Sequence, residues 1–212
     1  MIIIGLTGNL ASGKSEAARI FKKKGARVVD ADEIAHKLTR KGQPLFRAII
    51  KVFGKRFVDK KGQLDRKKLA QHVFSRSKEL KKLNVLVHPG VIIELYKAIE
   101  KARSKKGLLV LDAPLLFESK MEKLADFTVV VKASESSMLS RASRRGISSE
   151  LARKILAAQW PVMKKARLAD FVVDNNGTPE ELQQRVSRVM AEILKTQKDR
   201  KSGYYPGGLK KN

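Results

Sequence analysis

The chain contains no cysteine. Disulfide bonds and thiolate metal centres are therefore excluded. Its three histidines, His36, His72 and His88, lie too far apart in sequence to suggest a histidine metal cluster. No apolar run approaches the ~20 residues that span a bilayer, and the first residues lack a signal-peptide pattern. The expectation is a cytoplasmic protein with no membrane partner. Acidic residues are scarce too: 21 Asp and Glu stand against 46 Lys and Arg, a net charge of +25. That excess goes far beyond what solubility requires and raises nucleic-acid binding as a possibility. Yet the basic residues are spread along the chain, as in Lys22-Lys23-Lys24, Lys60-Lys61, Arg66-Lys67-Lys68 and Lys164-Lys165. Three tyrosines and one tryptophan are not interleaved with them as a base-stacking platform. An enzyme of polyanionic nucleotides on a generally basic surface accounts for the charge about as well, and no specific nucleic acid is expected. The sequence leaves monomer and homo-oligomer equally open.

What is present is concentrated at the start. With 212 residues and 42% hydrophobic content the chain can build one substantial core with subdomains inserted into it. Ile2, Ile3 and Ile4 form a β-branched run suited to a central strand, and Gly8-Asn9-Leu10-Ala11-Ser12-Gly13-Lys14-Ser15 follows at once. The pattern G-x-x-x-x-G-K-S is that of a phosphate-binding loop. Glycines at its ends let backbone N–H groups turn inward on phosphate oxygens, and the helix beginning near Lys14 adds its positive dipole end. Lys14 is expected at the β- and γ-phosphates, the Ser15 hydroxyl on Mg²⁺, and the Glu16 N–H near the α-phosphate.

Further along, Gly25 and Arg27-Val28-Val29-Asp30 read as helix stop and second strand, completing a βαβ unit and predicting a parallel sheet. Asp32 follows that strand. It is either the cap of the next helix or a carboxylate facing the crevice beside the phosphate loop. Between 43 and 106 no buried strand is apparent, and apolar faces such as Leu45, Ile49, Ile50 and Phe53 predict a helical insertion. Asp65 is expected to cap a helix, and His88-Pro89 to end one helix and start another. His88 is then a structural residue or a substrate contact. Leu108-Leu109-Val110-Leu111-Asp112 ends in a carboxylate that either holds Mg²⁺ or caps a turn.

Phe127 to Val131 and Phe171 to Asp174 complete the strands. Between them lie two helical stretches, Ser134 to Arg145 and Ser148 to Gln159, with Arg141, Arg144 and Arg145 crowding the end of the first. Arginines there complement a helix C-terminus, or stabilise a transferred phosphoryl group from a moving lid. Thr178-Pro179-Glu180-Glu181 is a capping box opening a long amphipathic helix, and a basic mobile tail is expected over 196–212.

These residues together resemble the dephospho-CoA kinases. The resemblance is carried by Gly5-Leu6-Thr7-Gly8 into Ser12-Gly13-Lys14-Ser15, Asp30-Ala31-Asp32 with Ala35, His88-Pro89, Pro114-Leu115-Leu116-Phe117-Glu118, Gln159, Lys165, Ala169-Asp170 and Val173-Asp174-Asn175-Asn176-Gly177. It implies an α/β, three-layer phosphate-loop kinase fold with a five-stranded parallel sheet. One unit would cover 1–195: core 1–31, 107–133 and 166–195, a helical acceptor-binding insertion at 32–106 and a helical lid at 134–165. The implied reaction moves the γ-phosphoryl group of ATP, with Mg²⁺, to the ribose 3′-hydroxyl of dephospho-CoA. By position, Asp32 resembles the carboxylate that orients or deprotonates that hydroxyl, and Arg141 the lid arginine. His88 falls in the acceptor region, and Asn175 to Gly177 in the adenine pocket.

The loop departs from the family where Asn9 and Ala11 replace usual glycines and Glu16 a small residue. Ala11 is expected to fit only with negative φ, and Glu16 to bring negative charge near the phosphates. The competing readings are another phosphate-loop kinase, acting on a nucleoside or shikimate, and a nucleic-acid-dependent NTPase.

Overall fold

A computed structural model describes residues 1–201. Five strands form one sheet: β1 (Ile2–Gly8), β2 (Arg27–Asp30), β3 (Leu108–Asp112), β4 (Phe127–Lys132) and β5 (Phe171–Asp174). Their order is β2-β3-β1-β4-β5 and every pairing is parallel. The central strands are apolar on both faces because helices cover both. Ile4, Leu6, Val110, Val129 and Val131 point to one side, where α1 (Lys14–Lys23) and α9 (Pro179–Lys201) supply Phe21, Val186 and Ile193. Leu109 and Leu111 point to the other, against Leu95 and Ile99 of α5 (Ser77–Arg103) and Ala31 of α2 (Ala31–Leu38). This period-two division produces the three expected layers.

The insertion is helical as anticipated. It holds α2, α3 (Pro44–Phe53), α4 (Arg66–Phe74) and most of α5, with its own small core of Ile49, Phe53, Phe57, Leu69 and Val73. Asp65 caps α4 through the Lys68 N–H at 2.9 Å. Pro89, however, does not separate two helices: α5 runs through it. Val87, Val91, Leu95 and Ile99 keep one apolar stripe in register across the proline. The carbonyl that Pro89 leaves without a helical donor belongs to Val85, which is 66% exposed and can bond water.

The lid region contains three helices rather than two: α6 (Glu135–Arg144), α7 (Ser149–Ala158) and the short α8 (Val162–Leu168). Ser134 and Ser148 cap the first two. The capping box of α9 forms as expected, with Thr178 N–H donating to Glu181 Oε2 at 3.1 Å and Glu181 N–H to Thr178 Oγ1 at 3.2 Å. The helix continues past 196 to Lys201, so the first part of the expected tail is helical. Residues 202–212 lie outside the described residues.

Candidate active site

The carboxyl end of β1 passes into a nest whose geometry is set by close backbone approach. A Cβ on Gly8 would come within 2.7 Å of the Val131 carbonyl and 2.5 Å of Ser12 Oγ. A Cβ on Gly13, at φ 97°, would collide with the Asn175 amide. Ala11 corrects the sequence expectation, because it adopts φ 55°. The loop's shape demands a left-handed residue there, which costs a non-glycine about 1–2 kcal/mol. Its methyl is buried against Ala142 of α6 and Ala152 of α7, which offsets part of that strain. Asn9 is not left-handed.

Asp32 is not the cap of α2. Asp30 takes that role, accepting from the N–H groups of Asp32 at 2.8 Å and Glu33 at 3.1 Å. The Asp32 carboxylate is thereby left free to line a cavity of about 590 Å³ shared with the whole phosphate loop, Gly8 to Ser15. It remains accessible to solvent within that cleft while protein surrounds it. This burial pushes its carboxyl above the ordinary 3.8, with Lys14 opposing the rise.

Lys14 itself pairs with Asp112, which is 2% exposed. Asp112 is therefore neither a turn cap nor free; burial raises its pKa and Lys14 counteracts. Ser15 also lines the cavity. The Glu16 carboxylate is paired with the Arg19 guanidinium one turn further along α1. Among the described residues no group of three carboxylate or imidazole side chains forms a ready metal cage. Mg²⁺ needs none, since it keeps waters and leans on substrate phosphates. The Ser15 hydroxyl with Asp112 and Asp32 nearby suits such an ion.

His88 lines the same cavity, its Nδ1 3.0 Å from Ser119 Oγ, and burial lowers its pKa despite Glu118. Arg141 Nη2 donates to the Asn175 carbonyl at 2.9 Å, leaving its buried Nη1 without a partner. Of the arginines at the end of α6, Arg145 lines the cavity and Arg141, singled out from the sequence, does not. Asn175 and Gly177 do not line it. Asn175 Nδ2 donates to the Ser12 carbonyl at 2.7 Å, and a Cβ on Gly177 would collide with Glu181 of the capping box.

A family model described as dephospho-CoA kinase matches residues 2–181. The chain belongs to the dephospho-CoA kinase family. The dephospho-CoA kinase of Enterococcus faecalis is 39% identical over 193 residues, covering 91% of this chain and 97% of its own length. Among solved structures, a Thermus thermophilus protein matches with TM-score 0.73 at 35% identity, covering 91% of this chain and 97% of that one. The dephospho-CoA kinase of Campylobacter jejuni matches with TM-score 0.66 at 26% identity, covering 92% and 98%. Like other dephospho-CoA kinases, the chain is a phosphotransferase acting on a hydroxyl acceptor. The shikimate, nucleoside and polymer-dependent alternatives give way to that assignment.

Around the cleft stand further residues to which the sequence assigned no role in the site. His36 and Thr39 line it from the same face of α2 as Asp32, a helical spacing that was readable. Arg66 lines it from α4 with no local signal to mark it, and Arg145 lines it from the end of α6, where the cluster of arginines was legible. Gln159 Oε1 accepts from the Leu10 N–H at 2.9 Å, joining the lid to the loop apex. Glu118 accepts from the Trp160 N–H at 2.9 Å and from Lys165 Nζ at 2.8 Å, while Lys165 also donates to the Pro114 carbonyl at 2.8 Å.

Proposed function

We propose that this cleft transfers the γ-phosphoryl group of ATP to the ribose 3′-hydroxyl of dephospho-CoA, with Asp32 holding that hydroxyl in line. The observation carrying this reading is the division of labour between neighbouring acids. Asp30 caps α2, so Asp32 has no structural duty and shares the cavity with Lys14 and Ser15. A carboxylate with a raised pKa is a better proton acceptor than an ordinary aspartate.

In this reading the loop amides and Lys14 hold the triphosphate, Lys14 leaving Asp112 as the phosphates arrive. Ser15 and the carboxylate of Asp112 would hold Mg²⁺, which supplies charge neutralisation on the phosphates when bound. Arg141 turns its unpartnered Nη1 to the transferring group, and Arg145 meets it from the cavity wall. Asn175 and Gly177 shape the adenine side indirectly, by fixing Ser12 and the start of α9. His88 and the apolar wall of the 32–106 insertion receive the acceptor. The lid over 134–165 excludes water, which would otherwise hydrolyse ATP. Among the described residues no helix is long and apolar enough to cross a membrane.

The test is a coupled assay with ATP, Mg²⁺ and dephospho-CoA beside adenosine and shikimate. Efficient turnover of dephospho-CoA alone is expected. Equal turnover of shikimate would overturn the reading.

A further inference from the structure

The cavity is lined mainly by apolar side chains, so each cation in its wall needs a reason. Arg66 is one of these, half-buried at the start of α4. Its Nη2 donates to the Thr39 hydroxyl at 2.6 Å and to the His36 carbonyl at 3.0 Å. One acceptor is in the last turn of α2 and the other on the residue that caps it, so the guanidinium is held at the end of that helix. Nη1 and Nε have no protein partner among the described residues, and no carboxylate pairs with the group. Burial, and after it the positive charge of Arg40, lower the Arg66 pKa. A fixed, partly desolvated guanidinium with free donors and no counter-ion is a site for an anion.

The helix provides a ruler. Asp32 lies at its start, and His36 and Thr39 lie one to two turns further along the same face, about 6–10 Å away. If Asp32 holds a ribose 3′-hydroxyl, the 5′-phosphates of that same nucleotide fall within this span. Guanidinium suits them better than ammonium, because its planar fork engages two phosphate oxygens at once.

We infer that Arg66 binds the 5′-pyrophosphate of the acceptor and so selects nucleotide acceptors that carry it. The inference rests on the acceptor reading above, and the sequence of binding events separates the two. ATP phosphates belong to the loop at the other end of the cavity, whereas Arg66 acts on the acceptor only.

The experiment is equilibrium titration of the full chain and of Arg66→Gln, Arg66→Lys and Thr39→Val with dephospho-CoA and, separately, with a non-hydrolysable ATP analogue. Arg66→Gln should weaken dephospho-CoA binding tenfold or more, with the loss shrinking at high salt as the ion pair is screened. Arg66→Lys should fall between, and Thr39→Val, which keeps the charge, should lose less than threefold. ATP-analogue affinity should hold in all three. In turnover, Arg66→Gln should act mainly on KM for dephospho-CoA. The inference is overturned if Arg66→Gln binds dephospho-CoA like the parent, or if Thr39→Val reproduces the whole loss. A parallel fall in ATP-analogue affinity overturns it too, since it shows a brace rather than an anion site. A parent chain that does not bind dephospho-CoA at all would instead sink the acceptor reading.

Discussion

The side-chain amide of Asn9 donates to the carbonyl of Trp160 at 3.1 Å, tying the apex of the phosphate loop to the segment that leaves the lid. The adjoining Leu10–Gln159 bond reinforces it. A glycine at position 9 would lack the first of these ties. Asn9→Gly is therefore expected to lose about 1 kcal/mol, the net worth of one hydrogen bond, and to let water into the cleft more often. The check is ATP hydrolysis without acceptor, which should rise severalfold; an unchanged rate removes Asn9 as a lid tether.

At Ala11 two effects oppose one another. Ala11→Gly removes about 1–2 kcal/mol of left-handed strain but loses a buried methyl worth about 0.8 kcal/mol and adds backbone entropy to the unfolded chain. Urea unfolding should show a stability change within about 1 kcal/mol of zero. Ala11→Val keeps the strain and crowds Ala142 and Ala152, so it should lose about 2 kcal/mol or more.

Asp32→Asn should cost well over tenfold in turnover while ATP binding persists. The fold should respond in the opposite direction. A raised native pKa means that the folded chain holds this proton more tightly than the unfolded chain. That favours folding in acid and becomes a cost as pH climbs through the raised value. Asp32→Asn is thus expected to melt higher than the parent near neutral pH, with the difference vanishing in acid. The acid limb of kcat/KM should lie above 3.8, the ordinary aspartate value. An equal or lower melting temperature at neutral pH would contradict this.

Lys165 is fully buried and depends on Glu118 and the Pro114 carbonyl. Removing one partner of a buried pair leaves an uncompensated charge and typically costs about 3–5 kcal/mol. Glu118→Ala should approach that range in chemical denaturation, and Glu118→Gln, which can still accept from Trp160 and Lys165, should lose less. Equal losses would mean that the charge of Glu118, and not its accepting oxygen, is what holds Lys165.

Lys14→Ala should reduce turnover well over tenfold and also leave Asp112 buried without its cation. Lys14→Ala/Asp112→Asn should recover stability relative to the single variant but no turnover, as read by thermal melting beside the coupled assay. Recovery of turnover would show that Lys14 serves only to neutralise Asp112.

The sequence by itself determined the strands, the phosphate loop, the βαβ start, the Asp65 cap and the capping box of α9. Those features rest on neighbours in the chain: alternation of Ile and Val on a pleated strand, glycines where backbone must approach, and hydroxyl or carboxylate caps within a turn. Pro89 was misread because local preference says stop, whereas the stripe from Val87 to Ile99 packs on the sheet and prevails. Likewise φ at Ala11 is imposed by the nest and by two lid alanines distant in sequence. Only tertiary structure could free Asp32 from capping, hang Lys14 on Asp112, fasten Asn9 to Trp160 and set Arg66 on the end of α2. Except for the capping, each of those joins residues far apart in the chain, and their energies exist only once the layers have packed. Even the capping choice between Asp30 and Asp32 depended on where the helix began, which is fixed by the pairing of β2 with β3.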